Sequence, residues 1–487
     1  MVRVNNCYQI LDYFCCFGLT WSSKPEVKMI KKKFQKKTFL IIGLGTSGIS
    51  IYKFLEKQKI KVLCWDDNEE VRRKANIIRI LTTEIKKIDF SRIDFIVLSP
   101  GISSHVPNEH EAVKKSKKFN CEIISDLDFI NFYKSNYTKI GITGTNGKST
   151  TTSCVTHICN NSNKNSVACG NIGKPFTSLK FEKKIKNLVV EASSFQLERL
   201  KYTSFNISVL LNISKDHLER HKSMKNYINA KSQIFKNQKK TDFAIISIDN
   251  PHTRKIADNF NKNFKSNLIK VSSKKILING LSITNTDKNI MINNGIENQS
   301  FIIKKSNLKS LDGNHNLENI IATYAVCYLL NISNDNFLKH IASFKGLAHR
   351  FERIAKLDKI LIFNDSKATN LESTKVALSN LKNIFWILGG RAKTGGITGI
   401  EKYLKQVKMG FIFGEAKDIF SRQLKKHIKL EKFQDLKLAF ERALTIAKKR
   451  DEEINILFSP ACSSFDQFKN FEERGDYFKL IVKNNLR

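Results

Sequence analysis

A short apolar run that breaks into glycines and then turns amphipathic commits a chain to a strand, a tight loop and a helix. This chain does so twice. The first instance is FLIIGLGTSG, residues 39–48, where four apolar residues meet Gly43, Gly45 and Gly48 in a full G-x-G-x-x-G pattern. A second apolar stretch, IKVLCWDDN, places Asp66 and Asp67 roughly 20 residues further on, where dinucleotide-binding β-α-β units keep a carboxylate for a ribose. Alone, that loop predicts a nicotinamide-dependent oxidoreductase. The second instance is TKIGITGTNGKSTT, residues 138–151. There Gly144 and Gly147 let backbone N–H groups turn toward phosphate oxygens. Lys148 supplies a point charge for the β and γ phosphates, and Ser149 or Thr150 can hold Mg²⁺. The loop departs from the strict phosphate-loop pattern, because Ile142 stands where the first glycine belongs. Hydride transfer needs no ATP, so a chain with both loops is expected to activate a nucleotide-linked substrate.

The rest of the sequence sets bounds on that reading. At 487 residues the chain is long enough for about three domains, and 41% hydrophobic residues is ordinary for a globular protein. No run of about eighteen apolar residues occurs, so no membrane span is expected. Ten cysteines without a CxxC pair point to a reduced, cytoplasmic protein. The net charge of +38 comes from lysines spread over nearly every segment, without aromatic and basic residues interleaved to stack bases. Nucleic-acid binding is therefore not expected, whereas an acidic, phosphorylated substrate would profit from the same field. Residues 1–28 are apolar but broken by Asp12 and make a poor signal peptide. They are read as a non-native extension before Met29, or else as a short peripheral anchor.

Strand-length apolar runs alternate with helix-length amphipathic stretches, which predicts an α/β protein with parallel sheets. After an extension over 1–36, three domains are expected at 37–136, 137–345 and 346–487. Within the second, KILINGLSI and NIMINNGI with their Asn-Gly pairs suggest hairpins. Glu191 ends the apolar run NLVVE and His217 follows ISVLLNIS, both suitable ligands for Mg²⁺. Each has a plainer alternative: Glu191 could cap the next helix, and His217 could start one. Asp216 beside it also has the type of a helix cap. Lys231 shares a helical stripe with Met224, Tyr227 and Ile234, so its charge either reaches out to water or is buried.

The strings GTNGKST, EASSFQLE, NISKDHLERH, GNHNLEN, HRFE, NDSKATN and SPACSSFDQFKNFEERG occur in an order that resembles the Mur ligases over 37–487. The last two resemble the D-glutamate-adding branch most. The resemblance implies a Rossmann-like N-terminal domain, a central P-loop ATPase-type α/β domain and a Rossmann-like C-terminal domain. It implies ATP-dependent ligation through an acyl phosphate, with UDP-N-acetylmuramoyl-L-alanine, D-glutamate and ATP as small-molecule partners of a monomer. The D configuration comes from the resemblance alone. The UDP end would lie against Gly45, Thr46, Ser47, Ser99 and Gly101, with Asp66 or else Asp67 at the uridine. ATP would lie on Gly144, Thr145, Asn146, Gly147, Lys148, Ser149, Thr150 and Thr151, with Asn316, Asn319, Arg350 and Asp365 around adenine and ribose. Mg²⁺ would be held by Ser149, Glu191, His217 and a carbamylated Lys231, with Lys148, His217 and Lys231 acting in catalysis. D-Glutamate would meet Lys367, Thr369, Lys393, Ser464 and Phe471. A folylpolyglutamate synthase would share the ATP loop but not the UDP-type first domain.

Overall fold

Phe39–Ile42 (β1) and Phe95–Leu98 (β3) are apolar at every position, and burial on both faces makes them the middle of a parallel sheet. Val62–Trp65 (β2) and Glu122–Ile124 (β4) flank them in the order β2-β1-β3-β4. Helix α1, Thr46–Lys57, begins directly behind the first glycine loop. The computed structural model describes residues 32–103, 109–133, 136–179, 185–308, 310–311, 313–392 and 395–486. Residues 1–31 of the extension expected over 1–36 lie outside them.

The central sheet is laid down by Thr138–Thr143 (β5), Ser166–Gly170 (β6), Asn187–Glu191 (β7), Ile207–Leu210 (β8), Phe243–Ser247 (β9) and Asn267–Ser272 (β10). Gly280–Asn285 (β11), Asn289–Asn294 (β12) and Gln299–Lys304 (β13) complete it. The order is β13-β12-β11-β10-β9-β8-β5-β7-β6. β5 therefore lies between β8 and β7, and the loop that follows it opens at their carboxyl ends, where open α/β sheets bind ligands. The hairpin expectation holds only in part. Asn294–Gly295 does lie between the antiparallel β12 and β13, but Asn279–Gly280 is no hairpin turn: Gly280 opens β11, which runs parallel to β10. Local turn chemistry could not reveal that pairing.

Helix α2, Lys148–Asn161, follows the second glycine loop; α3 is Met224–Ser232 and α4 is Leu317–Leu329. One continuous core joins the first two sheets, from Phe39, Phe95 and Phe132 to Leu188, Val190 and Phe205. Asp128 pins the same junction, accepting the N–H groups of Ser125, Lys201, Tyr202 and Thr203. Burial pushes its carboxyl up to about 6, against the pull of those donors.

The described chain packs as two compact units: the first two sheets with Asn316–Phe344 form one, and residues 310–311 and 313–315 with the chain from Lys345 on form the other. The latter carries Glu352–Leu357 (β14), Ile360–Asn364 (β15), Ile384–Gly389 (β16), Val407–Phe413 (β17), Lys429–Lys432 (β18) and Ile454–Phe458 (β19). Their order is β14-β15-β19-β16-β17-β18, with only β14 antiparallel to its neighbour. Helix α5, Phe471–Asn485, packs on β15. Among the described residues no helix is long and apolar enough to cross a membrane.

Candidate active site

The first glycine loop is braced from below. Gly48 lets α1 approach the strand, since a Cβ there would lie 2.0 Å from the Gly43 carbonyl oxygen. Gly45 caps α1, and Thr46 and Ser47 form its first turn. Ser99 Oγ donates to the Gly43 carbonyl at 2.9 Å. A small crevice at the ends of β1 and β3 is lined by Ser47, Gly48, Leu98, Ser99, Pro100 and Asp126, with Gly101 exposed beside it. Asp66 is tied into the loop itself. Its two oxygens accept the N–H groups of Leu44 and Asn68 at 2.7 and 2.9 Å, so it holds the loop's shape. The exposed Asp67 is met instead by Trp65 and His110.

The second loop brings two lysines together. Lys148 Nζ lies 2.9 Å from the Gly144 carbonyl oxygen and 2.8 Å from that of Thr145. Lys231, from α3, donates to the same Gly144 oxygen at 2.7 Å. Lys231 is 1% exposed, so it does not reach water as its helical stripe allowed. Burial first, and the neighbouring Lys148 second, hold its ammonium well below the usual lysine range, against the pull of Asp216 and Glu191. Gly147 has φ +82° and caps α2; a Cβ there would meet Asn319 Oδ1 at 2.1 Å. Asn319 also accepts from Thr151 Oγ1 and donates to Asn316, so α4 closes on the loop through residues far along the chain. Thr145 and Asn146 give their N–H groups to the backbone and side chain of Asn212. Ser149 is buried and Thr150 half-buried in the first turn of α2, where the helix dipole favours an anion.

Among the described residues no three His, Cys, Asp or Glu side chains converge as a ready-made metal site. The residues present nonetheless fit a hard cation. Glu191 is 1% exposed, its Oε1 accepts from Asn171 at 2.7 Å, and its Oε2 is buried with no hydrogen-bond partner. An orphaned carboxylate oxygen is costly to bury unless a cation meets it. The following helix, Ser194–Leu197, is capped by Ser193, which leaves Glu191 free of that alternative duty. His217 does start a helix, Leu218–His221, in a left-handed conformation with φ +53°. Its ring packs on Phe195 with centroids 4.9 Å apart and remains accessible. Asp216 serves it by accepting its N–H.

In the second unit, Lys367 Nζ lies 3.6 Å from the centroid of Phe471, and Ser366 Oγ donates to the Phe471 carbonyl. Thr369 N donates to the Lys367 carbonyl, and Ser464 is buried. Asp365 accepts from Ser459 Oγ and Phe351 N, and burial pushes its carboxyl up to about 7 against the pull of Arg350. Lys393 lies outside the described residues. Sequence reasoning missed Arg474, which is wholly buried and donates to Ser366 Oγ and to the carbonyls of Ser366, Cys462 and Ser463. It braces the segments that carry Lys367 and Ser464. In the sequence its string EERG is only the end of a longer motif.

Profiles of known families agree with this geometry. Residues 37–125 match a MurD-like Mur ligase N-terminal domain, 142–327 a Mur ligase middle domain, and 349–462 a Mur ligase glutamate ligase domain. The chain belongs to the Mur ligase family. A protein of Rickettsia bellii named UDP-N-acetylmuramoylalanine--D-glutamate ligase is 41% identical, over 91% of this chain and 97% of its own. A Wolbachia protein from Brugia malayi with the same name is 36% identical, over 92% and 96%. Two Mur ligase structures from Thermotoga maritima share the fold: MurC, with TM-score 0.57 at 17% identity over 92% of this chain and 99% of that one, and MurF in complex with ADP, with TM-score 0.56 at 16% over 94% and 98%. Membership in the Mur ligases answers the question raised by the first glycine loop. An oxidoreductase reading rested on residues 43–67 alone, and a folylpolyglutamate synthase reading on the ATP loop alone.

Proposed function

We propose that this Mur ligase adds D-glutamate to UDP-N-acetylmuramoyl-L-alanine at the expense of ATP, in the cytoplasmic assembly of peptidoglycan precursors. The observation that carries the ATP chemistry is the pair Lys148 and Lys231 meeting at one loop carbonyl. The choice of acceptor and amino acid rests on relatives of that name matched over nearly their whole length.

A carboxylate resists attack because a nucleophile would add charge to an anion. Transfer of the γ-phosphoryl group to a carboxylate oxygen, with ADP leaving, makes an acyl phosphate. The amine of D-glutamate then bonds to the carbonyl carbon, phosphate departs with the electron pair, and the amine loses a proton. The first step needs positioning and charge neutralisation more than a covalent catalyst. Lys148 and the N-terminus of α2 supply these to the phosphates, and Asn316, Asn319, Arg350 and Asp365 are assigned to adenine and ribose. Bound Mg²⁺ would supply further neutralisation of phosphate charge, held by Ser149, Glu191, His217 and Lys231 in its carbamylated form. Burial disfavours the ammonium form of Lys231, and the neutral amine is the nucleophile that carbamylation by CO₂ requires. The crevice at Ser47 and Ser99 is assigned to the UDP end. Lys367, Thr369, Lys393, Ser464 and Phe471 are assigned to D-glutamate, whose carboxylates need cations once out of water. Domain boundaries at 136/137 and 345/346 and a monomeric state belong to the same proposal.

The test is phosphate release with purified protein, ATP and Mg²⁺. It should require UDP-N-acetylmuramoyl-L-alanine and D-glutamate together; release with either one omitted, or with L-glutamate equally well, would overturn the assignment.

A further inference from the structure

One buried charge cluster in the first unit is not used by the chemistry above. Arg199 is 5% exposed, and its guanidinium donates to the carbonyls of Leu98 at 3.0 Å, Ser99 at 3.2 Å and Ile102. Those carbonyls end β3 and frame the Ser99-Pro100-Gly101 turn beside the crevice. Within the turn Ile102 N gives its hydrogen to the Ser99 carbonyl, and Arg199 adds side-chain donors for all three carbonyls. On its other side, Arg199 Nε lies 3.6 Å from Glu198 Oε1. The same oxygen accepts from Arg220 at 2.9 Å, and the other oxygen of Glu198 lies 3.5 Å from His221 Nδ1. Arg220 and His221 give their N–H groups to the carbonyl of His217, and the Arg220 guanidinium lies over the Phe195 ring that packs on His217.

Two guanidiniums therefore share one carboxylate in a region nearly closed to water. A cluster kept only for stability would be served as well by apolar side chains of similar volume. This one has direction instead: one arm grips a turn of the first sheet, the other the turn that carries His217. We propose that Arg199 is a positioning residue for the UDP-linked substrate, fixing the 98–102 turn against the His217 turn so that the substrate's carboxylate meets the γ-phosphate. The proposal rests on the reaction assigned above. Planarity is what it uses: a fork can span three carbonyls, whereas an ammonium is a single point.

The test is full steady-state kinetics on Arg199→Lys and Arg199→Met in the whole chain. The expected result for Arg199→Met is a KM for UDP-N-acetylmuramoyl-L-alanine raised about tenfold, with KM for ATP and for D-glutamate within about twofold of wild type. Arg199→Lys should fall between, and it decides the matter alone if Arg199→Met does not fold. A merely structural role would lower the melting temperature and leave the three KM values in their original ratio. That ratio unchanged in an active Arg199→Lys enzyme overturns the proposal while leaving the reaction intact. A wild-type protein that releases no phosphate would instead remove the reaction itself.

Discussion

The two glycine loops are built alike and charged differently. Each follows a buried parallel strand and opens a helix, with one glycine forced by close approach: Gly48 against the Gly43 carbonyl, Gly147 against Asn319. The first loop has no lysine, and its nearest charge, Asp66, is spent on the loop's own backbone. The second gathers Lys148 and Lys231 on a single carbonyl oxygen. Backbone N–H groups suffice to hold a diphosphate that is not to react. A phosphoryl group in transit spreads charge over its oxygens and needs cations placed beforehand. Lys148 is the cation that the second loop places beforehand, while Lys231, whose ammonium form is disfavoured by burial and by Lys148, brings the amine.

Substitutions that remove charge should accordingly cost far more at the second loop than any change at the first. Lys148→Ala is expected to lower ATP-dependent phosphate release by about three orders of magnitude, the scale of losing a charge that stabilises phosphoryl transfer. Its melting temperature should stay within about 3 °C of wild type, because the side chain is half-buried and bonds to the loop's own carbonyls. Near-normal turnover would break the comparison outright. Lys231→Ala should lose most activity and keep its fold, and millimolar acetate or formate should restore part of it by supplying the carboxylate the side chain would carry. Full activity without added acid would remove Lys231 from the chemistry.

Both loops were legible in the sequence because strand, glycines and helix start lie within a dozen or so residues. The burial of Lys231 was half-legible: the stripe with Tyr227 placed it inward, but only the fold shows that α3 carries it under Gly144. Asn212, which ties down Thr145 and Asn146, was not legible, because an asparagine in a Lys- and Asn-rich chain carries no local signal. Arg199 and Arg474 were hidden for the same reason. Each is defined by carbonyls about a hundred residues away, or by turns on separate segments. The hydrogen bonds of Asp66 to Leu44 and Asn68 were not legible either, since spacing marks the segment of a carboxylate and not the N–H groups that it meets.

At the first loop the expected effect is steric and moderate. Gly48→Ala puts a methyl group 2.0 Å from a backbone oxygen, so α1 must retreat from β1. Such overpacking costs about 1–3 kcal/mol. The KM for the UDP substrate should rise about tenfold while that for ATP holds, whereas Gly45→Ala, which meets no atom within 4 Å, should be tolerated in fold. Equal KM shifts for both nucleotides in Gly48→Ala would mean that the two loops do not serve separate ligands.

The smallest effect expected is a pH dependence that only the second loop should show. Lys231 has its ammonium held well below the usual lysine value by burial and by Lys148. The folded protein therefore binds fewer protons at this site than the unfolded chain does. Its penalty is present in full below the folded pKa, shrinks as pH rises from there toward 10.5, and is gone above it. Lys231→Met keeps the volume and removes the titration, while Lys148 remains bonded to the Gly144 oxygen. Urea unfolding of both proteins in CO₂-free buffer from pH 6.5 to 9.5 should show the wild type gaining on Lys231→Met as pH rises. Stabilities that run parallel across that range would mean that Lys231 titrates normally. It would then be cationic at neutral pH, and the second loop would hold its charge without the neutral amine that reaction with CO₂ demands.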